Sequence, residues 1–142
     1  MVKDFAASVK TALYQLLSGN LSYSGKVVPV YNTLAGVNAG TMWVTVEDYS
    51  QRPDGTKLRP MYQSTVLIEV VVKGDDYTAL NSVSEQILAT LYPTYNSTVT
   101  VSGGSVYILD EPTMSEFVDD NGSSIYLRRQ LRVGLRLSPS NN

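Results

Sequence analysis

The chain has 142 residues, 43% hydrophobic and 17% charged, with a formal charge of −2; this is the composition of one globular domain large enough to bury its own core. The slight negative charge offers no excess of cations to displace the counterions of a nucleic acid, which argues against general or sequence-specific nucleic-acid affinity. Cysteine and histidine are both absent, which removes disulfides, thiol nucleophiles, the best zinc ligands and the commonest general base, so neither a metal nor a cofactor is expected.

The first segment reads as an amphipathic helix. Phe5, Val9, Ala12, Leu13, Leu16 and Leu17 fall on one stripe of a 3.6-residue period, and Gly19-Asn20 supplies a stop signal. Lys26 to Tyr31 holds Val27, Val28 and Val30 around Pro29. Because proline cannot donate to a ladder, this is an edge strand or an extended lead-in. Leu34 to Thr41, with Gly36 and Gly40, reads as a loop. Met42 to Asp48 and Ser64 to Lys73 both alternate, and they are expected to pair as an antiparallel hairpin. Between them Tyr49 to Gln63, with Pro53-Asp54-Gly55 and Pro60, reads as a long loop of the kind that tends to be functional.

Gly74-Asp75-Asp76 opens a second helix with the stripe Tyr77, Leu80, Val83, Ile87, Leu88 and Leu91; an aspartate caps it and Pro93 ends it. Thr98 to Val101 and Val106 to Leu109 read as a small hairpin joined by Ser102-Gly103-Gly104-Ser105. Asp119-Asp120-Asn121-Gly122 is a turn leading into the longest strand. There Ile125, Leu127, Leu131, Val133, Leu135 and Leu137 share a face interrupted by Arg129, and Ser138 to Asn142 forms a flexible tail. The expected fold is α+β: a single domain over residues 1–142, with one antiparallel sheet and two helices packed on one of its faces.

The start Met1 to Phe5 lacks a basic region followed by a continuous apolar stretch, and no apolar run nears the roughly 20 residues of a membrane helix. The expectation is a soluble protein kept inside a cell or packaged into a particle made there, with no membrane partner. Ten tyrosines stand against one tryptophan and two phenylalanines. Tyrosine suits half-wet subunit interfaces, and it also simply favours strands.

No catalytic constellation emerges, and the expectation is a protein that is not an enzyme. Ser102-Gly103-Gly104-Ser105 lacks the strand-turn-helix setting of a nucleophile elbow and has no histidine to activate a serine. The carboxylate pairs Glu47-Asp48, Asp75-Asp76, Asp110-Glu111 and Asp119-Asp120 all adjoin turns or element ends, and the last lacks the alternating ligands and closing glutamate of a calcium loop. The constellation worth keeping is basic. Arg128, Arg132 and Arg136 recur every fourth residue beside Tyr126 on one face of the last strand, roughly 13 Å apart. Three readings compete: that face is simply solvated, or its guanidiniums meet the acidic turns of a neighbouring subunit, or it touches nucleic acid, which the thin aromatic interleaving and the nearby acidic turns oppose. With Arg52, Asp54, Lys57 and Arg59 of the long loop, these residues form the expected subunit interface.

Val9-Lys10-Thr11-Ala12-Leu13-Tyr14-Gln15-Leu16-Leu17-Ser18-Gly19 resembles the first helix of small tailed-bacteriophage tail-terminator and tail-completion (neck ring) proteins. Val28-Pro29-Val30-Tyr31, the helix start Tyr77-Thr78-Ala79-Leu80 and the closing Tyr126-Leu127-Arg128-Arg129-Gln130-Leu131-Arg132-Val133 extend the resemblance over most of the chain. It implies a structural virion protein of the tail or neck, assembled in the host cytoplasm. Such a protein forms a homo-oligomeric ring of six copies, with twelve as the alternative, against other neck or tail proteins; DNA passes through rings of this kind. A tail-tube or head-closure subunit is the neighbouring alternative. A small ligand-binding α+β domain is the alternative from another class.

Overall fold

The computed structural model describes residues 3–32, 40–55, 60–93 and 99–139. Helix α1 (Ala6–Leu17) is followed by a small hairpin of β1 (Ser22–Tyr23) and β2 (Lys26–Val27), then β3 (Val30–Tyr31), β4 (Met42–Pro53), β5 (Tyr62–Lys73) and helix α2 (Tyr77–Leu91). Strands β6 (Gly104–Leu109), β7 (Thr113–Asp120) and β8 (Ile125–Pro139) complete the chain. The main sheet has the order β3-β4-β5-β8, and β6 and β7 both pair with β8. All of its ladders are antiparallel except β3–β4, where Val30 stands beside Val44 in parallel. The fold is therefore α+β, with a mostly antiparallel rather than wholly antiparallel sheet. The proline expected to confine residues 26–31 to an edge does so: Pro29 separates β2 from β3, and its carbonyl accepts the Val44 amide at 2.9 Å.

Both helices lie on one face, α1 over β3 and β4 and α2 over β5 and β8. Phe5, Val9, Leu13 and Leu17 from the first helix meet Leu80, Val83, Ile87 and Leu91 from the second, above Val44, Val46, Val66, Ile68, Val70, Leu131, Val133 and Leu135. Asp76 caps α2, its Oδ1 accepting the Ala79 amide at 3.0 Å. At the start of α1 the capping position is Phe5, which has no side-chain acceptor, and Asp4 before it accepts the Ala6 amide at 2.8 Å. Gln51 also reaches over from β4, accepting the Phe5 amide at 3.1 Å and donating to the Lys3 carbonyl at 2.6 Å.

Several expectations need correction. The long loop expected from Tyr49 to Gln63 is strand at both ends: the β4–β5 ladder runs on to Pro53 opposite Tyr62. The cause is a bulge at Asp48, whose φ of 50° lies in the left-handed region and which the register skips between Glu47 and Tyr49. Inward-facing residues are even-numbered before it and odd-numbered after it, which breaks the alternation along the sequence. Residues 99–101 are not a strand; Val99 and Val101 are buried, and β6 pairs with β8 instead of folding back on them. Strand β7 was not anticipated. The tail begins later than expected, because Ser138 and Pro139 still pair with Ser105 and Gly104. Tyr77, placed on the buried stripe of α2, is 46% exposed. The loop expected around residues 34–41 lies largely outside the described residues.

Candidate interface on the open face and edges of the sheet

Strand register sorts the face away from the helices into rows. One row runs Trp43, Val71, Arg128, Phe117; the next Thr45, Glu69, Gln130, Ser115; the next Glu47, Leu67, Arg132, Thr113. No helix covers this face among the described residues, yet Val71, Leu67, Glu69 and Thr45 are buried on it. Long neighbours contribute to that burial: the Trp43 and Tyr126 rings meet edge-on across β5, with centroids 6.0 Å apart.

Glu69 is the charged residue held at the centre. Arg128 Nη1 donates to its Oε1 at 2.8 Å and Gln130 Nε2 to its Oε2 at 3.0 Å. The same arginine reaches the other way, its Nε 3.1 Å from Asp119 Oδ2, and so ties β5, β8 and β7 together. Glu47, near this cluster at the β4 edge, has its pKa raised by burial first, then by the charges of Glu69 and Asp48, against a smaller lowering by Arg128 and Lys10.

The expected interface residues therefore divide. Tyr126, Arg128, Arg132 and Arg136 do share the open face. Arg128 is engaged inside its own chain, and Arg136 Nε is buried, 3.8 Å from Asp110. Gly134 leaves room for that aspartate: a Cβ there would stand 3.1 Å from Asp110 Oδ2. Arg129, on the helix-facing side, bonds Glu116 at 2.7 Å. Arg132 is exposed and has no ion pair among the described residues. Arg52 is exposed with its guanidinium on the Gln63 side chain, and Asp54 is exposed at the strand end. Lys57 and Arg59 lie outside the described residues.

The edges carry what the sequence reading missed. Strand β7 is exposed almost throughout and pairs only with β8 among the described residues. Met114, Phe117 and Val118 on it are 56%, 46% and 54% exposed. At the other edge the β1–β2 hairpin leaves Val27 64% exposed. Beside it opens a hollow of about 380 Å³ lined by Lys26, Val27, Met42, Val72, Lys73 and Asp76 among others. No cluster of three metal-ligating side chains occurs among the described residues, and no helix among them is long and apolar enough to cross a membrane.

No protein-family model matches the sequence, and no curated protein matches it. Among solved structures, a chain in the virion of a native gene transfer agent (GTA) particle is similar in fold. The TM-score is 0.71 at 13% identity, and the alignment covers 96% of this chain and 99% of that one.

Proposed function

We propose that the protein is a structural subunit of a phage-like virion, forming a closed ring at the head–tail junction or the tail end in the manner of a tail-terminator or tail-completion protein. The observation that carries this reading is the end-to-end recurrence of the fold in a virion chain, covering 96% of one and 99% of the other. Two further features support it. The sheet keeps an open strand on one side and an exposed hairpin on the other, and a ring needs two different surfaces that fit each other. Arg132, Tyr126, Arg52 and Asp54 belong to the contacts with neighbouring subunits or adjoining virion proteins. The role is mechanical: the helix-backed sheet is the rigid body and the exposed edges are its joints.

Native mass spectrometry over a range of concentrations tests the ring. One discrete closed mass, six or twelve copies, is the expected result. A monomer at every concentration would overturn the self-assembling ring.

A further inference from the structure

Resting on the ring reading, we infer that the contact between successive subunits runs from the β7 edge of one copy to the hollow beside the β1–β2 hairpin of the next, strands upright along the ring axis. A second copy of this chain is the occupant, and charge complementarity at matching heights is the reason.

Ladder register fixes the heights. Asp119 stands opposite Tyr126, which stands opposite Lys73; Val118 lies on the row of Leu127, Val72 and Met42. Lys26 precedes Val30, the partner of Val44, by four residues, which brings it to about the level of Gly40, two residues before β4; both line the hollow. Asp120 at one edge, beside the Asp119 that Arg128 already holds, is thus level with exposed Lys26 at the other, and Lys73 stands at the same height on the central strand β5. Lower on the sheet the signs reverse. Arg132 is one strand in from the outer edge, behind the uncharged Thr113, on the row that ends in Glu47 beside exposed Asp48. Rotation about an axis along the strands keeps each residue at its height. Both rows of one copy then meet opposite charges on the next.

Shape and polarity agree. Strand β7 runs antiparallel to β8, β8 to β5 and β5 to β4, so β7 of one copy is antiparallel to β4 of a neighbour in the same orientation. Met114, Phe117 and Val118 are the exposed apolar side chains on one side; Val27 and the hollow's Met42 and Val72 are the apolar surface on the other. Asp76, the acid in that hollow, has one oxygen committed to the helix cap. Residues 104–122 carry Asp110, Glu111, Glu116, Asp119 and Asp120 with no Lys or Arg among them; Arg128, Arg129 and Arg136 pair three of these acids within the chain, which leaves exposed Glu111 and Asp120 for the cations of a neighbour.

The chain has no cysteine, so introduced thiols report cleanly. Val27→Cys, Val118→Cys and the double variant change exposed positions and leave the melting curve unchanged. With a short bismaleimide, the double variant is expected to give a covalent ladder up to the ring number. An equal mixture of the two single variants stops at dimers, and each single variant alone stays uncrosslinked. Dimers from Val118→Cys alone would overturn the assignment in favour of two-fold edge pairing. A wild-type ring with no ladder in the double variant would overturn this contact and leave the ring reading standing. A ladder without any discrete closed mass would keep the contact and sink the closed ring, and a monomeric wild type without a ladder would sink both.

Discussion

Two arginines four residues apart on β8 should behave in opposite ways. Arg128→Met leaves the Glu69 carboxylate, 8% exposed, with only Gln130 as a described side-chain partner. Breaking one partner from a fully buried pair costs about 3–5 kcal/mol. Arg128 is 25% exposed, so water reaches the gap and about 2–4 kcal/mol is the better expectation. Its second bond, to the 44% exposed Asp119, adds at most about 1 kcal/mol. For a chain of this length the melting midpoint should fall by roughly 6–15 °C. Replacing Glu69 by Met in the same molecule removes the stranded charge and should recover most of that loss. Arg132→Glu, in contrast, touches no ion pair among the described residues and should move the midpoint by no more than a degree or two while lowering the ring fraction. Urea titration and native mass spectrometry on the set of variants separate the two roles. A loss below about 0.5 kcal/mol for Arg128→Met, the level of an ordinary surface change, would refute the view that Arg128 holds Glu69. An unchanged ring fraction in Arg132→Glu would remove that residue from the contact.

Glu47 gives a pH signature. Its pKa is raised in the folded chain, chiefly by burial, so the folded state holds that proton more tightly than the unfolded state. Its contribution to stability is then fully present below the unfolded value and is lost as pH rises through the raised one. Glu47→Gln should therefore raise the melting midpoint at pH 7, and the gain should shrink as pH falls through the carboxylate range; an equal gain at both ends would contradict the cause. Gly104→Ala probes the seam between the first helix and β6, where an added Cβ would stand 2.7 Å from the Ser138 carbonyl and 2.8 Å from the Phe5 ring. Overpacking there should cost about 1–3 kcal/mol in denaturant titration; a neutral result would show that the seam yields.

Much of the fold was legible because its cores are periodic. The two helix stripes and the inward faces of β4, β5 and β8 were readable as patterns of Val, Leu and Ile, and they form the buried layer. What escaped has local causes. A single residue at positive φ, Asp48, flipped the parity of β4, and the second half of that strand looked like loop. Strand β7 escaped because it is exposed almost throughout: with little to bury, Thr113 to Asp120 shows no inward-facing apolar pattern. Of the candidate site, the shared face of Arg128, Arg132 and Arg136 was visible from spacing alone. Which of them is occupied was not, because Glu69 and Asp119 lie 59 and 9 residues away in sequence from Arg128.

The pairing of those arginines bears on how the edge is built. Arg128 meets Asp119 and Arg129 meets Glu116, both on β7, while Arg136 approaches Asp110 just before it. A strand with almost no buried side chain is thus held by its ladder to β8 and by charges on neighbouring residues rather than by a core. Surface pairs of this kind contribute little stability apiece, but they fix where a strand lies. They also neutralise acids that would otherwise repel an approaching subunit. An exposed apolar strand is ordinarily an aggregation hazard, and charged side chains beside it are the usual guard. Here the guard is incomplete: Asp120 and Arg132 have no ion pair among the described residues and stand at different heights with opposite signs. An edge of that design accepts a surface that offers a cation above and an anion below. Lys26 and Glu47 supply that order on the far side of the same molecule.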